Sequence, residues 1–76
     1  MIYMENIKHD GDIVSFDGYP ESMKNKSFHY SFNIVTGEML ENTGGSNFHI
    51  AEAKFKLLSV LYDKKCLPDK LKANTH

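Results

Sequence analysis

The chain has 76 residues, 41% hydrophobic and 25% charged, with nine lysines, ten carboxylates and a formal charge of −1. That length is enough for one domain and too short for two, since a typical domain needs roughly 100–150 residues. No run approaches the roughly 18 apolar residues of a membrane span, and a lone cysteine makes neither an internal disulfide nor a Cys-rich zinc site. Met1 to Lys8 lacks a basic leader before an apolar core, so no signal peptide is expected there. Together with the unpaired cysteine, this favours the cytoplasm.

In chain order, the front half reads as β structure. Met1 to Lys8, rich in Ile, Tyr and Met, reads as an edge strand. Asp10-Gly11 follows as a type I′ hairpin turn, in which both central residues need positive φ. Ile13 to Phe16 returns as the second strand, and Gly18-Tyr19-Pro20 stops it, because Pro cannot donate to a ladder. Glu21 to Lys26 is polar apart from Met23 and reads as a loop.

The clearest strand comes next. Phe28, Tyr30 and Phe32 alternate with His29, Ser31 and Asn33, so three aromatics share the core face and three polar groups the other. Asn33 to Glu38 is expected to be a hairpin loop, with Asn33 capping it and Gly37 left-handed. A tighter Thr36-Gly37 turn is the alternative. Met39 to Glu41 is a short fourth strand, and Asn42 to Gly45 a flexible link.

A helix occupies the segment 46–66, its regular part running from about Asn47 to about Lys65. Ser46 or Asn47 is the expected N-cap, accepting from orphan backbone N–H groups. Lys64 and Lys65 suit the negative end of the helix dipole, and Pro68 prevents continuation. The tail, 69–76, is expected to add a short turn through Leu67 and Leu71 before fraying. The predicted fold is therefore α+β: a four-stranded antiparallel meander over 1–41, covered on one face by a C-terminal helix.

The helix is too apolar for one interface. At 100° per residue, His49, Glu52, Lys56, Ser59 and Asp63 form a narrow polar stripe. Ile50, Ala53, Leu57, Val60 and Leu61 form one apolar group, and Ala51, Phe55, Leu58 and Tyr62 another. A helix resting on a sheet needs an apolar stripe of about 100°, and this one spans about twice that on ideal geometry. Either the sheet and tail wrap the helix, or one group meets a partner. A chain this short, without disulfides or metal, gains from association, and a two-fold homodimer is the default. Phe55, Leu58 and Tyr62, with Leu57 and Leu61, are the contact candidates. Spacing alone does not decide which group faces the sheet.

Other chemistry finds little footing. His9, His29, His49 and His76 show no metal-ligand spacing. Cys66, at a helix C-terminus that disfavours a thiolate, reads as a small buried hydrophobe. Thr43-Gly44-Gly45-Ser46-Asn47 could offer backbone N–H groups to an anion, but lacks the lysine of a phosphate-binding loop. The carboxylate pairs Asp12/Asp17 and Glu38/Glu41 read as solvated strand ends. No cofactor is expected, and no catalytic residue.

Charge divides along the chain. Residues 1–53 hold three lysines against eight carboxylates, a net −5, and residues 54–76 hold six lysines against two, a net +4. Gly37-Glu38-Met39, a glycine-bearing link and a helix with Phe55 and Leu58 distantly resemble the PC4-like single-stranded DNA-binding fold, over about half the chain. That resemblance implies dimerisation through the helix and nucleic-acid binding by the sheet. The sheet's negative charge opposes the second implication, because backbone contacts need basic groups. The expectation is a non-catalytic interaction module that pairs with itself or with another protein; a nucleic-acid-binding dimer is the alternative.

Overall fold

The computed structural model describes residues 1–21 and 24–73. Met23, the 22–23 part of the expected loop, His76 and the last residues of the expected tail lie outside them. Five strands and one helix follow in order: β1 (Ile2–Asp10), β2 (Ile13–Pro20), a 3-10 turn at Lys24–Lys26, β3 (Phe28–Asn33), β4 (Met39–Asn42), α1 (Asn47–Lys64) and β5 (Leu71–Ala73). The sheet order is β4-β3-β2-β1-β5, with every neighbouring pair antiparallel.

The fold class is α+β, and the four-strand count is corrected to five. Leu71–Ala73, where a short turn and then fraying were expected, pairs with β1 through Met4↔Leu71, Tyr3↔Lys72 and Ile2↔Ala73. Three residues without a β-branched side chain carry no strand signature of their own. Their conformation is imposed by the open edge of β1, and Ala73 goes into the core. β1 is consequently an interior strand rather than an edge.

Alternation sets the layers. Ile2 and Met4 of β1, Val14 and Phe16 of β2, and Phe28, Tyr30 and Phe32 of β3 all turn to one face, where they meet Ile50, Ala53 and Leu57 of α1. Each large side chain removed from water there contributes about 1.5–3 kcal/mol before conformational entropy is counted. The rings pack edge-on or tilted, with centroids 6.2 Å apart for Phe16–Phe28 and 5.8 Å for Phe16–Tyr30, as aromatic quadrupoles prefer. Glycine is required where the link into α1 crosses this layer: a Cβ on Gly45 would stand 2.6 Å from the Phe28 ring.

The turns refine the expected boundaries. Asp10 pairs with Ile13, so the first turn is Gly11-Asp12, one residue later than expected. Positive φ occurs at Gly11, +61°, and not at Asp12, the pattern of a type II′ turn. β2 continues through Gly18 and Tyr19 to Pro20, opposite Ile2; a terminal strand residue need not donate to the ladder. The Asn33–Glu38 loop forms as expected. Asn33 Oδ1 accepts from the Val35 and Thr36 amides at 2.8 and 3.0 Å, and Gly37 has φ +83°.

β1 carries a bulge. Glu5 faces Asp17 and Lys8 faces Ser15, so β1 holds one extra residue between these pairs. Asn6 lies there at φ +52°, a conformation asparagine tolerates better than most residues. The extra residue turns Ile7 inward, where it is buried, and its amide donates to the Asp69 carbonyl at 3.0 Å. The chain leaving α1 is thereby tied beside β1 just before β5 begins.

Candidate functional site

The caps of α1 fix its length. Ser46 Oγ accepts from the His49 amide at 3.2 Å, satisfying one of the orphan N–H groups of the first turn. At the other end Lys65 is left-handed, φ +65°, and its amide returns to Leu61 O, which closes the helix three residues before Pro68.

Between these caps the helix presents two apolar groups, and the structure separates them. Ile50, Ala53 and Leu57 are core, with Leu57 at 0% exposure. Phe55 is 77% exposed, Tyr62 83% and Leu58 47%. Of the five expected contact residues, Phe55, Leu58 and Tyr62 therefore share the outward face; Leu57 belongs to the subunit interior, and Leu61 is half-buried on the flank. Leu58, Leu61 and Tyr62, with Leu67, Pro68 and Leu71 of the following segment, line an open apolar groove of about 1110 Å³.

Phe48 extends the outward face and was missed by the two-group reading. It is 61% exposed and stands seven residues before Phe55, which stands seven before Tyr62. Ala51, Leu58 and Lys65 follow them at the same period, each three residues further on. The signal was present as spacing, but a 100° wheel drifts by about 20° per heptad and spreads such a row. Lys65 reaches back along this face, its Nζ 5.4 Å from the Tyr62 ring centroid.

The polar stripe is less solvated than expected. Glu52 is buried at 6% exposure. The Met1 ammonium nitrogen lies 3.8 Å from its Oε2, and among the described residues neither carboxylate oxygen has a hydrogen bond. Lys54 covers the opposite flank. Its Nζ donates to Gly37 O at 3.2 Å and lies 5.1 and 5.5 Å from the Phe32 and Tyr30 rings, where its stem shields aromatic surface while its charge stays wet.

The helix-free face of the sheet carries a different set of groups. Asp17 and His29 are direct partners across β2 and β3, and Ser31 faces Glu41 across β3 and β4. His29 Nδ1 is 2.7 Å from Asp17 Oδ1, and its Nε2 is 3.5 Å from Glu41 Oε1. Asn6 Nδ2 donates to the other Asp17 oxygen at 2.9 Å. Hydrogen bonds from Asn6 and His29 hold the Asp17 carboxyl below its ordinary 3.8, against a smaller opposing effect of desolvation. Tyr3 and Tyr19 stack at 5.4 Å, and Tyr19 donates to Glu5 at 3.2 Å. Desolvation, and then that bond, raise the Tyr19 phenol above its ordinary range.

The remaining candidates disperse. His9 is exposed at the end of β1 and His49 is engaged with the Ser46 cap. No three His, Cys, Asp or Glu among the described residues are grouped to hold a metal. Two donors of the anion cradle are taken within the chain: Asn42 Oδ1 accepts from the Gly44 and Gly45 amides at 3.1 and 2.8 Å. Cys66 is exposed rather than buried: the left-handed turn at Lys65 ends the helix before Cys66 can lie against the sheet. Asp12 sits in the first turn and Glu38 in the loop before β4, both exposed. No helix among the described residues is long and apolar enough to cross a membrane. The chain matches no family model, and neither curated proteins nor solved structures give a match.

Proposed function

We propose that this chain is a non-catalytic interaction module whose working surface is the outward face of α1, and that its partner there is a second copy. The observation that carries this is the contiguous exposure of Phe48, Phe55, Leu58 and Tyr62 on one rigid helix. Single exposed apolar residues need no explanation, but a row of them does. Aromatics bury roughly 150–250 Å² each, so covering the exposed parts of these four removes on the order of 500 Å² per chain. Two chains then bury roughly 1,000 Å², the lower bound for a specific interface. An unlike partner would need its own matching row, whereas a second copy supplies one by symmetry.

The alternative of single-stranded nucleic-acid binding has less support. Phe28, Tyr30 and Phe32 are buried under α1 and have no face free for stacking on bases. The open side of the sheet bears Glu5, Asp17 and Glu41, with Lys8 near Asp17 and Lys72 opposite Tyr3, so it holds no surplus of basic groups for phosphate. The proposed setting is the cytoplasm, where an exposed thiol such as Cys66 stays reduced.

Light scattering at micromolar concentration tests the proposal. The wild-type chain is expected at about twice its 8.7 kDa mass, and Phe55→Asp at the single-chain mass with an unchanged circular dichroism spectrum. A wild-type chain that stays at 8.7 kDa would remove the proposal.

A further inference from the structure

Resting on the proposed self-association, the spacing on α1 also sets how the second copy sits. We infer that two α1 helices pair antiparallel, with Phe55 of each chain against Leu58 of the other and Tyr62 against Ala51 of the other.

Three observations lead there. First, Phe48, Ala51, Phe55, Leu58, Tyr62 and Lys65 follow alternating steps of three and four, the heptad row along which two helices interlock at a shallow left-handed angle. All six are exposed, so the row is vacant from the first turn of α1 to its cap. Second, rings alternate along it with side chains that carry none. A parallel, in-register pair would stack Phe48 on Phe48 and Phe55 on Phe55, with Ala51 on Ala51 between, which holds the helices apart at the rings and leaves a void at the alanines. Antiparallel pairing sets large against small instead: Tyr62 fills the space over Ala51, and Phe55 packs on Leu58, so the layers have nearly even thickness, as close packing requires.

Third, charge distinguishes the two directions. In a parallel pair Lys65 meets Lys65 within the row, and Lys64 and Lys65 of both chains gather at one end. In the antiparallel pair Lys65 lies against Phe48 of the other chain, repeating across the interface the cation–ring contact that it already makes with Tyr62. The two helix dipoles then run head to tail, an attractive arrangement. The two sheets end on the outside of a four-layer particle, with their open faces turned away from each other.

Disulfide trapping reads the direction. In a Cys66→Ser background, chains carrying Ala51→Cys or Tyr62→Cys are oxidised separately and as an equal mixture, after light scattering has shown that each still associates. Antiparallel pairing places position 51 opposite position 62 of the partner. It separates like positions by about 16 Å at 1.5 Å per residue, beyond the 4.4–6.8 Å between Cα atoms that a disulfide spans. The expected result is a covalent dimer at twice the chain mass in the mixture, containing the 51–62 linked peptide, and none from either chain alone. The wild-type chain supplies a second reading with no seam residue changed. Its two Cys66 thiols lie about 28 Å apart at opposite ends of an antiparallel pair, so oxidation leaves single chains on a non-reducing gel. Covalent dimers from either single-cysteine chain, or through Cys66 in the wild type, overturn the antiparallel register while leaving self-association standing. A wild type of dimeric mass with no 51–62 link in the mixture overturns the register also. A single-chain mass for the wild type overturns the underlying proposal itself.

Discussion

Leu57 and Leu58 are the same residue one position apart, and substituting each by alanine should have opposite consequences. Leu57 is at 0% exposure, packed between the sheet and α1. Truncating it leaves a cavity in addition to the lost transfer energy, and comparable core truncations cost about 2–5 kcal/mol. Against a total stability of about 4–11 kcal/mol, from roughly 0.05–0.15 kcal/mol per residue, that is a large share. Leu58 is 47% exposed, so within one subunit its truncation forfeits about 1 kcal/mol. Urea unfolding followed by circular dichroism measures both, at concentrations where scattering shows single chains, because association adds its own concentration-dependent stability. Leu57→Ala should lower the midpoint by at least twice as much as Leu58→Ala. At higher concentration the order reverses: Leu58→Ala should lose dimer mass, and folded Leu57→Ala should keep it. Equal midpoint losses would mean that Leu58 is a core residue, and the division of the helix into inner and outer faces would be wrong.

Gly45→Ala should cost about 1–3 kcal/mol, the usual penalty for forcing a close-packed site apart, because its methyl group meets the Phe28 ring at 2.6 Å; thermal melting checks it, and an unchanged melting temperature would contradict the contact. Acid should weaken the fold partly through Asp17. Its carboxyl is held below 3.8 in the folded state, so its stabilisation is present above the unfolded value and is lost as pH falls through the folded one. With the side chain 44% exposed, the loss stays below about 1 kcal/mol. Urea midpoints between pH 6 and pH 2 should fall less steeply for Asp17→Asn than for wild type, and parallel curves would remove Asp17 from the account.

Where side-chain pattern decides conformation, the sequence was informative. The alternation from Phe28 to Asn33 identified both faces of β3, and Ser46 and the Asn33–Gly37 loop were legible from their hydrogen-bonding chemistry. Small misses such as the one-residue shift of the first turn are local, but the larger failures involve partners distant in the chain. Leu71–Ala73 is a strand only because the edge of β1 is open to it. Asn6 is left-handed because Asp17 and the path of residue 69 favour a bulge, and no local pattern around Asn6 announces one. Glu52 lies on the polar side of the helix wheel and is nonetheless buried, since a wheel has no knowledge of where Met1 will lie. On the open face, Asp17, His29 and Glu41 are adjacent through strand register alone. The doubled apolar surface of α1 was readable, but the assignment of its groups needed the sheet.

The position of β5 bears on how the protein comes off the ribosome. The first four strands pair with neighbours in sequence and can assemble as they emerge. The outer edge of β1 has to wait: its described partner, Leu71–Ala73, is made almost seventy residues later, after the whole of α1. Through that interval Ile2, Tyr3 and Met4 offer bare backbone donors and acceptors to any passing strand, the situation in which sheets recruit foreign chains. Three unremarkable residues thus act as the closing latch of the sheet, and a chain released before residue 71 would carry an adhesive edge.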